Sequence, residues 1–275
     1  MKSNQALKHI VLNLINKIDE IYQTVISLLL YILLRPLVKF LPSLLNPRVY
    51  RKIFFSLINV TNYLFPLTYL RQGRINKLKA DVRKYRDTYD RKGINLYFKL
   101  ITPERLVKDK VVLDLGCGTG GKTVELLRFK PRKVMGIDPS RRNIQYAREL
   151  VQDDNRDILS FTNRDIMEFV QCEYYDAIIS YTVFEHIERD RLKTTLHKMY
   201  EILKPGGYAI IIFNHYNDRF GSHLKEYVYH PWPQTIFCDD VLFEYWNYRN
   251  KRRINMDENA YFPEDYHHGR GHNAD

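Results

Sequence analysis

A chain of 275 residues with 45% hydrophobic residues can bury a sizeable core, as one large domain or as one domain with an extension. Its net charge of +11 is unevenly spread: residues 1–110 carry 21 Lys and Arg against 7 Asp and Glu, and residues 111–275 carry 22 against 25. The three cysteines, Cys117, Cys172 and Cys238, are odd in number and form no C-x-x-C pair. That supports neither a disulfide framework nor a cysteine zinc site and fits a reducing, cytoplasmic setting.

The basic N-terminal part asks for something anionic, such as lipid headgroups, nucleic acid or an acidic substrate. Residues 21–34 form an uncharged apolar run of 14, shorter than the roughly 20 residues of a spanning helix. Arg35, Pro36 and Lys39 are expected to interrupt it, and prolines recur at 42 and 47. Residues 49–70 are again rich in Phe, Leu, Ile and Tyr, with Arg48, Arg51 and Lys52 at their start. Apolar segments edged by cations and broken by proline suit a membrane surface, through residues 21–70; helices packed on the main domain are the alternative. Residues 71–99 interleave cations with Tyr85, Tyr89 and Tyr97, which would serve to stack bases, although a solvated helix face is the simpler reading. Residues 76–108 read as helical with a break at Gly93, and Thr102 and Pro103 open a short helix before the first strand.

That strand is residues 111–115, VVLDL, which runs into glycines at 116, 118, 120 and 121 and then into a helix from Lys122. A buried strand feeding a glycine turn and a helix N-terminus brings backbone close to a ligand. Gly116, Gly118 and Gly121 also spell the dinucleotide pattern G-x-G-x-x-G, so the loop alone does not decide. Strand and helix alternate thereafter: strands at 133–138, 158–162, 175–181 and 208–213, helices at 141–151 and 189–203, the last closed by Lys204-Pro205-Gly206-Gly207. The pattern predicts an α/β fold, a Rossmann-like open and mostly parallel sheet flanked by helices, preceded by a helical, apolar and basic extension. Ligands of such sheets bind beyond the carboxyl ends of the strands, where the glycine loop, Asp138, Asp165 and residues 181–186 lie.

The series VLDLGCGTG, VMGIDPS, NRDI, YDAIISYTVFEHI and LKPGGYAII resembles the class I S-adenosylmethionine-dependent methyltransferases, in the right order over roughly residues 100–214. The resemblance implies S-adenosylmethionine as cofactor, with Asp114, Gly116, Cys117, Gly118 and Gly120 around its amino-acid end. It implies Asp138 on the ribose hydroxyls, with Pro139 and Ser140 continuing that loop. Asp165 would take the adenine amino group, Ile166 would pack on the ring, and Tyr181 would face the reacting methyl. Each acid has a plainer role open to it: Asp114 holding the loop, Asp165 capping a helix. Cys117 reads as a small loop filler. Glu185 and His186 are the candidate bases, since a neutral imidazole is a good proton acceptor near pH 7.

Residues 214–246, with His215, His223 and His230, would form a lid over the acceptor or dock on the core. The tail, with His267, His268 and His272, reads as a histidine-bearing terminus, and no metal site is expected. No alternating run follows residue 247, where the family's fold normally adds further strands, so the tail is expected to be cut short or the sheet completed atypically. The division expected is 1–70 as a membrane-associating or packing extension, 71–246 as the methyltransferase domain and 247–275 as a polar tail. The function expected is methyl transfer to a small-molecule or lipid-linked acceptor, oxygen slightly favoured, peripheral to a membrane. A tethered S-adenosylmethionine-binding protein without turnover, or a nucleic-acid-binding methyltransferase using residues 71–99, is the alternative.

Overall fold

The computed structural model describes residues 2–170, 173–187, 189–213, 228–229, 231–237, 241–242, 244–245 and 247–249. Cys172, Cys238, the histidines at 215, 223 and 230, and the three histidines of the tail lie outside the described residues. The described residues divide into two compact units, one of residues 2–76 with those described between 228 and 249 and one of residues 77–213.

In the second unit five strands form one sheet: β1 (Val111–Leu115), β2 (Lys133–Asp138), β3 (Leu159–Asn163), β4 (Tyr175–Tyr181) and β5 (Leu203–Ile212). Their order is β3-β2-β1-β4-β5 and every pairing is parallel. This is a Rossmann-like α/β sheet with its order reversing at β1, the switch point beyond whose strand ends such sheets take their ligands. β1 is buried at every position, as a central parallel strand covered on both faces must be. One apolar cluster joins Val112, Ala177 and Ile210 to Ile144 and Phe161, and another joins Leu113, Ile178 and Ile137 to Met199 and Ile202.

Three local readings change. β5 begins at Leu203 and carries Lys204-Pro205-Gly206-Gly207 inside it, instead of starting after them. The register steps from Tyr175 opposite Leu203 to Ala177 opposite Tyr208, so the extra residues bulge out of the ladder, with Gly206 at φ +76°. The helical run before β1 breaks at residue 89 into α4 (Val82–Thr88) and a 3-10 segment, Asp90–Lys99, that contains Gly93. A Cβ on Gly93 would stand 3.1 Å from the Lys122 side chain, so this glycine makes room for a neighbour and does not end a helix. Thr102 does stand before Pro103, but its hydroxyl makes no capping hydrogen bond.

The first unit is helical: α1 (Lys2–Leu44), α2 (Pro47–Tyr63), α3 (Pro66–Lys79), which crosses into the second unit, and a short turn of helix at Pro233–Ile236. α1 runs on through Arg35, Pro36 and Lys39, where the sequence predicts an interruption. Proline removes one backbone hydrogen bond, and long helical runs on both sides hold the remainder. Asn46 ends the connection, its side chain accepting from the Arg48 N–H at 2.9 Å with Pro47 in the first turn, the usual arrangement for a helix start.

The sheet is tied together at its lower end by Asp176 of β4. Its carboxylate accepts from the Val111 N–H at 2.7 Å and from Lys204 Nζ at 2.8 Å, with Arg132 at 3.4 Å. Burial opposes the charge, but the Lys204 ammonium and the Val111 N–H win and hold its pKa below the usual carboxylate range. The stabilisation is therefore full above about pH 4 and fades as acid protonates the group. Asp176→Ala, which leaves the Val111 N–H and Lys204 without their partner, is expected to cost about 2 kcal/mol in urea unfolding at neutral pH.

Candidate functional site

Where β1 ends, the chain turns through three glycines in left-handed conformation, Gly116, Gly118 and Gly120, at φ +71°, +56° and +81°. The first is there for two reasons, since a Cβ on Gly116 would also stand 2.2 Å from Val183. The turn is held to β2: the Gly116 and Cys117 N–H groups both donate to the Ile137 carbonyl, at 2.8 and 2.9 Å. The Gly118 N–H donates to Asp138 Oδ2 at 3.0 Å. The other oxygen of Asp138 accepts from the Ser140 N–H at 2.9 Å and the Asn143 side chain at 3.2 Å. Burial pushes the Asp138 pKa up, against these three bonds. A Cβ on Gly118 would meet nothing within 4 Å, so the middle of the turn faces open space.

Asp114, one position before the end of β1, is almost wholly buried. Its Oδ2 accepts from Thr123 Oγ1 at 2.6 Å, and its Oδ1 has no hydrogen-bond partner. Burial raises its pKa to about 6, with the Thr123 bond and the charge of Lys122 pulling the other way. Two more buried oxygens without partners belong to the same unit, the Tyr97 hydroxyl and Ser180 Oγ. Ser180 sits opposite Leu115 across the β1–β4 ladder. Tyr97, from the 3-10 segment, packs edge-on to Tyr181 at 6.4 Å and has its pKa raised by burial, then by Asp114 and Asp90. Buried polar atoms seldom go unpaired, and Asp114 and Ser180 both stand one position before the ends of their strands.

Lys122 is the member of this group that the sequence reading missed, together with Asp90, Tyr97 and Thr123. Its ammonium is bonded to Asp90 at 2.5 Å and lies 4.9 Å from the centre of the Tyr181 ring. Burial alone would lower its pKa, but Asp90 more than restores it. One signal was legible: α6 (Gly121–Glu125) starts with a cation in its first turn, which the helix dipole disfavours unless another charge requires it.

The remaining predicted residues fall around this turn. Pro139 and Ser140 lead from β2 into α7 (Arg141–Arg148), the Pro139 carbonyl accepting from Asn163 at 2.8 Å and Ser140 capping the helix. Asp165 caps the turn Ile166–Glu168: one oxygen accepts from the Met167 N–H, the other pairs with Arg191, both at 2.9 Å. Ile166 is buried in the core beside Ile137 and Phe184. Cys117 is buried, and burial drives its thiol pKa up, as suits a space-filling residue. His186 ends the turn Phe184–His186 and is exposed; the Glu185 side chain lies outside the described residues. Of the tyrosines proposed to stack bases, Tyr97 is in the core, while Arg83, Arg86 and Arg91 are engaged with Glu149, Asp87 and Glu125. Among the described residues no group of three His, Cys, Asp or Glu could hold a metal ion.

The profile of the family described as "Methyltransferase domain" matches residues 112–207. The chain carries a class I S-adenosylmethionine-dependent methyltransferase domain. The matched segment runs from β1 to the bulge in β5 and contains the whole turn. Relatives of this methyltransferase domain include a sterol 24-C-methyltransferase of Debaryomyces hansenii, 32% identical over 123 residues, 42% of this chain and 31% of that protein. The mitochondrial ubiquinone biosynthesis O-methyltransferase of Dictyostelium discoideum is 29% identical over 152 residues, 47% of this chain and 46% of that protein. The chain thus spans a third to a half of the length of these relatives. Among solved structures, TehB from Haemophilus influenzae is 29% identical over 46% of this chain and 42% of its own, with a TM-score of 0.37.

The Lys122–Asp90 pair tests how the site is held. Lys122→Met leaves Asp90, whose side chain is only 12% exposed, without its partner and is expected to cost about 3 kcal/mol in chemical unfolding, part of which returns when Asp90→Asn is added.

Proposed function

We propose that the protein transfers a methyl group from S-adenosylmethionine to a small-molecule or lipid-linked acceptor, oxygen favoured, at a membrane. The observation that carries the cofactor part is the unpartnered Asp114 Oδ1, buried beside a glycine turn whose middle, Gly118, faces open space. An amino acid's ammonium suits that oxygen, and the N–H groups of a helix N-terminus suit its carboxylate. In this reading Gly116, Cys117, Gly118 and Gly120 present backbone to the amino-acid end. Asp138, which spends one bond of Oδ2 on Gly118, has acceptor capacity left for a ribose diol. Pro139 and Ser140 wall the ribose side, Asp165 and Ile166 stand at the adenine end, and Tyr181 lies nearest the transferred group.

The cofactor, when bound, supplies an electrophilic methyl on a sulfonium with a good leaving group. The chain's own work is then to hold the acceptor in line and exclude water. An acceptor hydroxyl would also need to lose a proton, and His186, exposed in the turn that follows β4, is the proposed acceptor of it, with Glu185 beside it. The acceptor class draws support from the names of the relatives, one a sterol and one a ubiquinone-pathway methyltransferase, and from the apolar, basic N-terminal unit.

Calorimetric titration of S-adenosylmethionine is expected to give micromolar binding that Asp138→Ala weakens more than tenfold. Gly118→Ala costs about 1 kcal/mol of stability for its left-handed backbone and should also lose binding, because its methyl enters the open space. No binding by the folded wild-type protein would sink the proposal.

The pH dependence carries a sign. With a pKa of about 6, Asp114 is ionised at neutral pH and neutral in mild acid. Affinity for the cofactor is therefore expected to be flat above pH 7 and to fall roughly tenfold per unit below pH 6, whereas Asp114→Asn removes this slope and binds weakly throughout.

A further inference from the structure

The first unit buries polar side chains beside its apolar ones, Leu30, Val38, Phe54, Ile58 and Phe65 among them. Its buried side chains include Gln23, Ser27, Thr61, Asn62, Thr68 and Gln72, residues that normally face solvent. These groups bond to the rest of the unit: Gln23 Nε2 donates to Asp19 at 2.6 Å and to Thr68 Oγ1 at 3.1 Å. Asn62 accepts from the Tyr229 N–H at 2.7 Å, and Asn59 accepts from the Tyr245 hydroxyl at 2.6 Å. The outside of α1 is the reverse: Ile21, Leu28, Ile32 and Leu33 are 65, 58, 59 and 65% exposed. Only 17% of an 18-residue apolar window within residues 10–41 is buried, unlike the core helix of a globular unit.

The placement of charge along α1 is what selects the surroundings. Positions 19, 23, 27, 30, 34, 35 and 38 face inward and hold both Asp19 and Arg35, the latter donating to the Ile236 carbonyl at 3.4 Å. From Ile21 to Leu37 no outward-facing residue is charged, a length of about 25 Å along a helix. Lys17 and Glu20 lie just before this stretch and Lys39 just after it, all three exposed. A second protein copy would need a complementary apolar face, whereas a bilayer needs only an uncharged wall of about its own hydrocarbon thickness with cations at the rims. Small polar residues bonded between helices and aliphatic residues facing outward are the pattern of helices packed in lipid.

We infer that α1 is embedded in the hydrocarbon of a lipid bilayer, with its Gln23–Ser27 face turned to the rest of its unit and its outward face to acyl chains. This goes beyond surface attachment and does not depend on methyl transfer.

The test uses the full chain mixed with phosphatidylcholine vesicles, floated on a density gradient, then washed with high salt and with alkaline carbonate. The protein is expected to float with these uncharged vesicles and to resist both washes. Leu29→Lys/Ile32→Lys, at exposed positions, should float at least about tenfold less, while Leu29→Phe/Ile32→Phe floats like wild type. Titration of S-adenosylmethionine into the lysine variant reports separately on the methyltransferase domain and is expected to be unchanged. Release by salt or carbonate, or a vesicle-free dimer that leaves the vesicles behind, overturns the inference whatever the cofactor titration shows.

Discussion

The second unit depends on a single turn. The chain leaves β1 through three left-handed glycines because it must double back on the end of β2, and two N–H groups on the Ile137 carbonyl with a third on Asp138 hold it there. Any other residue at Gly116 would meet Val183 and carry an unfavourable φ as well. The turn joins β1, β2 and β4 at the point where the sheet order reverses, which is why polar groups from all three gather there.

Around that turn the protein tolerates charge where it would be expected to avoid it. Asp114 and Lys122 are both buried, and each is unfavourable alone. Lys122 is paired with Asp90 and faces the Tyr181 ring, while Asp114 keeps one bare oxygen. A structural ion pair explains the first and not the second. The asymmetry leaves Lys122 with a structural partner and one oxygen of Asp114 without any.

The two units answer to different solvents. The methyltransferase domain follows the water-soluble rule, with Val, Ile and Leu on both faces of a parallel sheet and ion pairs such as Arg83–Glu149 outside. The helical unit buries amides and hydroxyls among its apolar side chains and displays aliphatic ones along α1. The basic residues that make the whole chain cationic are concentrated before residue 111, in the helical unit and in the segment that leads from it to β1.

The strands, their sequence in the chain and the glycine loop were legible because short apolar runs ending in Asp or glycine leave few alternatives, and β1, β2 and β4 lie at the residues the pattern predicts. Asp114 and Asp138 were legible as polar residues in apolar strands. What the residue order did not disclose came from contacts distant in the chain. Lys122 needs Asp90, 32 positions away, and Gly93 is small because Lys122 passes over it. The bulge of β5 depends on its register with β4. Pro36 looked like an interruption because a proline's local cost is visible in sequence, whereas the support of a long helix around it is not. Local propensity and periodicity are properties of neighbours in the chain, and so the sequence by itself determined the α/β order and the loop. The pairing of buried charges, the bare oxygen of Asp114 and the inward turn of polar residues on α1 were decided only by the tertiary structure, because each is set by a partner that no local pattern names.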